Sequence, residues 1–175
     1  MFVASGAGHN RNMSTHAPKP RRSDTEQALL DAALTQLLEA QITFNQTLGL
    51  KVVSLAPDNL QIRFDMRPEL VGHYVHGRLH GGVISAALDA TGGFALMVAM
   101  GEKHAEETAM QVMHRFAKMA TIDLRVDYLR PGVGKHFIAK VEVTRLGGRI
   151  ASTLMRLFND EDTLIATGSA AYVIS

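Results

Sequence analysis

His80, Gly81 and Gly82 stand immediately before an apolar run, and Asp89 stands inside it. A helix that starts at such a pair of glycines offers unpaired backbone N–H groups and a partial positive charge. Glycine lets a substrate oxygen come close to those groups. That is the chemistry of an oxyanion hole. The plainer reading is a glycine-rich loop that lets the chain turn. A carboxylate inside an apolar helix is costly unless it is paired, hydrated or protonated. Asp89 is therefore a candidate nucleophile or general base facing a cleft. The alternative is a core Asp bonded to a backbone group or to a neighbouring subunit. The eight residues from Gly81 to Asp89 rise roughly 12 Å along a helix, too far for both to reach one carbonyl. Two antiparallel copies about a two-fold axis would bring Gly81 of one to Asp89 of the other. The spacing predicts an obligate dimer with composite sites.

The elements that must position these residues follow from periodicity. Leu29, Leu30, Ala33, Leu34, Leu37, Leu38 and Ile42 recur at helical spacing after a cap at Ser23 or Asp24. They predict an amphipathic helix over about 25–46, ended near Gly49. Leu50–Leu55 and Leu60–Met66 alternate around a Pro57-Asp58-Asn59 turn and predict a hairpin. Residues 71–82 read as loop. Residues 83–100 are apolar nearly all round, the mark of a buried core helix. Asp89 and the Gly92-Gly93 pair argue against a membrane span. After a polar stretch over 101–118, alternation predicts strands at about 121–128, 136–146, 149–159 and 163–174. Gly147-Gly148 makes a two-residue hairpin turn. An antiparallel sheet with one apolar face needs a cover, and the helix over 83–100 is the one apolar element long enough. The expected fold is α+β: a curved antiparallel sheet wrapped around a central buried helix, with an extra N-terminal helix.

Composition narrows the rest. The chain has 175 residues, 46% hydrophobic and 20% charged, which fits one globular domain. Zero cysteines exclude disulfides, iron–sulfur clusters and cysteine nucleophiles. They fit a reducing compartment, and the expected location is the cytoplasm. A net charge of +1 gives no basic excess for nucleic acid or an anionic membrane. Residues 1–23 hold four basic residues and no acid, while the remainder holds 14 basic and 17 acidic. The stretch 1–23 reads as a disordered polar tail without a signal-peptide core, and 24–175 as a single domain. The nucleophile-elbow, zincin, P-loop and dinucleotide-binding motifs are all missing. His73, His76 and His80 are spaced as metal ligands could be, but loop contacts are the expected reading, with no metal and no cofactor.

The stretch Leu79-His80-Gly81-Gly82-Val83 to Asp89 resembles the HGG…D signature of hotdog-fold acyl-CoA thioesterases of the PaaI type. Asp127-Tyr128-Leu129-Arg130-Pro131-Gly132 is similar to that family's strand ending in an LRP turn, and Gly147-Gly148-Arg149 to its later hairpin. The resemblance covers roughly 48–175. It implies the hotdog fold, a homodimer or homotetramer, and hydrolysis of an acyl-CoA to free acid and CoA. It implies that Gly81 polarises the thioester carbonyl, that His80 orients the loop or touches that carbonyl, and that Asp89 attacks or activates water. Thr121 stands where some relatives place a Ser or Thr that assists the water. Relatives often carry an Asn about six residues before the HGG histidine, where this chain has Tyr74 beside His73. Either could take over its hydrogen bond. Further expected substrate contacts are Gly82 in the loop, Arg130 and Arg149 for the CoA phosphates, and Gly148 in the hairpin. Phe94, Leu96, Met97 and Met100 are candidates for an acyl tunnel, or ordinary core. The apolar helix leans toward a medium- or long-chain acyl group. An acyl-CoA binder without turnover, and an enoyl-CoA hydratase or dehydratase, are the alternatives.

Overall fold

A computed structural model describes residues 20–175; the expected tail falls largely outside the described residues. Within its last residues, Arg22 donates to the carbonyls of Gly101 and His104, and Arg21 pairs with Glu102 at 3.0 Å.

Helix α1, Asp24–Gln36, opens at Ser23, whose hydroxyl accepts the Glu26 N–H at 3.2 Å. Asp24 and Glu26 complement the positive end of the helix. Leu30 and Leu34 are buried. The continuous helix expected over 25–46 does not form. A π-helical turn, Leu37–Gln41, follows α1, and the Ile42 N–H reaches five residues back to the Leu37 carbonyl at 3.1 Å. Ile42 is extended, and a short helix α2, Thr43–Leu48, leaves in a new direction. Beta-branched Ile42 and Thr43 at the break favour that extended backbone. Gly49, at φ 72°, stops α2 in the left-handed conformation that glycine adopts without strain.

Strands β1, Lys51–Ser54, and β2, Gln61–Asp65, form the expected hairpin. The expected loop over 71–82 contains a small hairpin of its own, β3, Val71–His73, and β4, Arg78–Leu79. Gly77, at φ 54°, lies in its turn. Helix α3 runs Gly81–Lys103, longer than periodicity marked out. It is the one described helix long and apolar enough to cross a membrane, and 56% of its most apolar window is buried. Helix α4, Ala109–Arg115, begins with a reciprocal Thr108–Gln111 cap.

Strands β5, Ala120–Tyr128, β6, His136–Leu146, β7, Ile150–Asn159, and β8, Leu164–Val173, complete the sheet. The order is β1-β2-β6-β7-β8-β5, antiparallel throughout. This is the hotdog architecture: the curved sheet wraps α3, which packs on β5 to β8. Phe64 and Phe137, paired across β2 and β6, stack at 5.3 Å in the core.

Strand β5 lies on the sheet edge and carries an irregularity between Thr121 and Asp123. A bulge there reverses the alternation at its N-terminal end. Ile122, expected on the apolar face with Leu124 and Val126, is 56% exposed, whereas Leu124 and Val126 pack on the core. Thr121 takes the inward position instead.

Candidate active site

Asp89 lies in the middle of α3, half-buried. Its Oδ1 accepts the Thr121 hydroxyl at 2.9 Å. The bulge in β5 is what turns Thr121 toward α3. Thr121 pairs in the sheet with Tyr172, and the Tyr172 hydroxyl donates to the Asp89 carbonyl at 3.1 Å. Two neighbouring strands thus fix one residue of the helix, by its side chain and by its main chain. Burial, aided by the Asp89 carboxylate, holds the Tyr172 phenol well above the ordinary tyrosine range. Gly92 makes the approach of helix and sheet possible, because a Cβ there would overlap the Tyr172 hydroxyl.

Asp89 opens onto a cavity of about 310 Å³. Its walls are Phe94 and Met97 from α3, Met119 and Thr121 at the start of β5, and Leu38, Ile42, Phe44 and Asn45 from the π turn and α2. Of the expected acyl-tunnel residues, Phe94 and Met97 line this cavity. Leu96 is fully buried core and Met100 is buried one turn beyond the cavity. Asn45 was not among the candidates, since a polar residue in a short segment between two helices carries no periodic signal.

The second group of candidates gathers at the start of α3. His80 is its N-cap, and the His80 Nδ1 accepts the Gly82 N–H at 2.9 Å. The Gly82 donor is occupied, while the Gly81 N–H meets no acceptor among the described residues. Gly81 is the better-placed of the two for a substrate oxygen. The Tyr128 hydroxyl, from the far end of β5, donates to the Gly81 carbonyl at 3.1 Å. Tyr128 was expected in the alternating strand and in its closing motif, not as a contact of Gly81; strand pairing is what places it here.

Other candidates lie apart. Tyr74 is 90% exposed, and His73 stacks between it and His76, with ring centroids 4.9 Å apart for the two histidines. Within this chain neither His73 nor Tyr74 lines the Asp89 cavity, because the β3–β4 hairpin carries them into solvent. Arg130 donates to the Leu164 carbonyl at 2.9 Å. Gly148 and Arg149 are exposed at the β6–β7 turn, beside Lys103 at the opposite end of α3 from Gly81. His104, Glu106 and Glu107 bring ligand atoms within 4.8 Å of one another at that same end. Glu107, however, is already paired with Arg115.

Residues 76–166 match the family model described as Thioesterase superfamily. The chain is 34% identical over 149 residues to the medium/long-chain acyl-CoA thioesterase YigI of Escherichia coli K12, covering 85% of this chain and 95% of that protein. Its Salmonella typhimurium counterpart matches at the same identity and coverage. A crystal structure from Shewanella oneidensis, described as related to the thioesterase superfamily, superposes with a TM-score of 0.80. That match has 30% identity and covers 88% of this chain and 100% of the other. With the family model matched over more than half its length and a relative aligned almost end to end, this chain belongs to the thioesterase superfamily.

Proposed function

We propose that this protein hydrolyses medium- or long-chain acyl-CoA thioesters to free acid and CoA. The observation that carries the reading is Asp89, oriented by Thr121 at 2.9 Å, on the wall of an otherwise largely apolar cavity. An apolar cavity suits a fatty acyl chain, and a fixed carboxylate at its edge suits attack on the carbonyl, directly or through water. The similarity to YigI supports the same substrate class.

The oxyanion donor comes from a second copy in this reading. Gly81 and Asp89 share one helix and stand roughly 12 Å apart along it. An antiparallel pair of copies closes that gap. Edge strand β5 offers the means, with nine residues hydrogen-bonded on one side only and Ile122 and Tyr128 more than half exposed. Such an edge is a template for a second strand. The Gly81 N–H of one copy would then meet the carbonyl that Asp89 of the other works on.

The test is thiol release from a series running from acetyl-CoA to palmitoyl-CoA, with wild type and Asp89→Asn. Wild-type turnover that peaks at medium or long chains and drops by about 10²-fold or more in the variant is expected. Tight binding with no turnover of any substrate would make the protein an acyl-CoA binder instead.

A further inference from the structure

Among the described residues Asn45, Thr91 and Thr153 are the buried polar ones, and the two threonines each have a side-chain hydrogen bond. Asn45 is 4% exposed, and it lines the same cavity as Asp89 and Thr121. Its side-chain amide makes no hydrogen bond among the described residues. Its main chain, by contrast, is firmly held. The Asn45 carbonyl accepts the Leu50 N–H at 3.0 Å, next to Gly49, and Leu48 and Leu50 are both buried. The residue is therefore fixed in place while its polar group stays unpaired. The amide atoms are not sealed off in the core, since the residue lines the cavity, and there they can bond whatever occupies it. An arrangement of this kind is expected where the partner is a molecule that enters the cavity.

The cavity also shows what that partner must bond besides Asn45. Thr121 engages one oxygen of Asp89, Oδ1, which leaves the carboxylate with further acceptor capacity, and the Tyr172 hydroxyl stands close enough for that carboxylate to raise its pKa. A water in such a site needs two or more polar partners. The Asp89 carboxylate and the Asn45 amide supply two, from opposite elements, α3 and α2.

We propose that Asn45 and Asp89 together hold the attacking water, with Asn45 as its positioning residue. The inference rests on the thioesterase reading above. One water hydrogen points to the Asp89 carboxylate and the other to the Asn45 side-chain oxygen, which leaves a lone pair for the acyl carbonyl. The water oxygen forms the new C–O bond as its proton passes to Asp89. The C–S bond then breaks, and the departing CoA thiolate takes that proton from Asp89. A carboxylate that attacked the carbonyl itself would need no water in that step, and Asn45 would then bear only on hydrolysis of the resulting anhydride.

Asn45→Leu and Asn45→Ala test this in the full-length protein, by steady-state kinetics on the best acyl-CoA and by thermal unfolding. The expected result is a kcat lower by about 10- to 100-fold, because misplacing a reacting group costs that much. KM stays within about twofold, since the acyl walls are intact. The unfolding midpoint of Asn45→Leu is not lowered, because an unpaired amide has been replaced by a well-sized apolar group. Asn45→Ala adds no atoms to the cavity and carries the kinetic test if the leucine does not fit. An unchanged kcat overturns the proposal. So does a loss carried by KM alone, which would make Asn45 an acyl contact. So does a lowered midpoint with normal kcat in the folded fraction, which would make it structural. Wild type that releases thiol while the Asn45 variants match it refutes this inference alone. Wild type that releases none refutes the thioesterase reading and this inference together.

Discussion

Thr121 and Asp89 are 32 residues apart in the sequence and 2.9 Å apart in space, joined by a hydroxyl-to-carboxylate hydrogen bond. The bond exists because β5 bulges at its first turn of pairing, which puts Thr121 on the helix side and sends Ile122 outward. It fixes the rotation of the Asp89 carboxylate on the cavity wall.

Thr121→Val keeps the shape and removes the donor. We expect kcat to fall by about 10-fold, the cost of a loosened carboxylate. Thr121→Ser restores the hydroxyl and most of the rate. Steady-state kinetics on both variants is the measurement. Equal rates for valine and threonine would reduce the bond to packing.

Tyr172 makes an alkaline prediction. Its folded pKa is raised, by burial first and then by the Asp89 carboxylate. A raised value means the native state keeps a proton that the unfolded chain gives up. The contribution is fully present below about pH 10, the unfolded value, and is lost as pH rises toward the folded one. Denaturant midpoints should therefore drop more steeply above about pH 10 in wild type than in Tyr172→Phe. At pH 7 the phenylalanine variant is less stable by about 1 kcal/mol, for the lost hydrogen bond to the Asp89 carbonyl. Parallel curves across the alkaline range would contradict the assignment.

The edge strand gives a third expectation. Ile122→Lys places a charge on the exposed face of β5, the usual way an edge is kept from pairing. Ile122 is not among the residues that line the Asp89 cavity. If the site is shared between copies, sedimentation will show dissociation and thiol release will fall together. A monomer with full activity would mean that one chain holds a complete site.

Much of this was legible in the residues. The strands over 136–146, 149–159 and 163–174 lie within a residue or so of the observed β6, β7 and β8, because alternation there is unbroken and turn residues bound it. The glycine-led start of α3 and the isolated Asp89 were visible for a similar reason, as breaks in an apolar pattern. What stayed hidden depends on one-residue insertions. The π turn at Leu37–Gln41 adds a residue to a helix and redirects Ile42, Phe44 and Asn45. The bulge at Thr121 adds one to a strand and exchanges its faces. Neither changes the hydrophobic period enough to show, and both aim a polar group at the cavity. His73 and Tyr74 were legible as polar candidates, but their distance from the Asp89 cavity within one chain was not. Their types suit a site, but the two-strand hairpin that carries them faces outward.

The walls of the cavity divide along the chain. Asp89, Thr121 and the Gly81 donor fall inside the segment matched by the family model, residues 76–166. Leu38, Ile42, Phe44 and Asn45, which close the cavity from the other side, all precede it. The acid thus sits inside the family segment, while part of the acyl wall, and the Asn45 proposed to position the water, come from helices that precede it. An exchange of those leading helices between relatives that kept Asn45 would reshape one wall of the acyl room without touching the carboxylate.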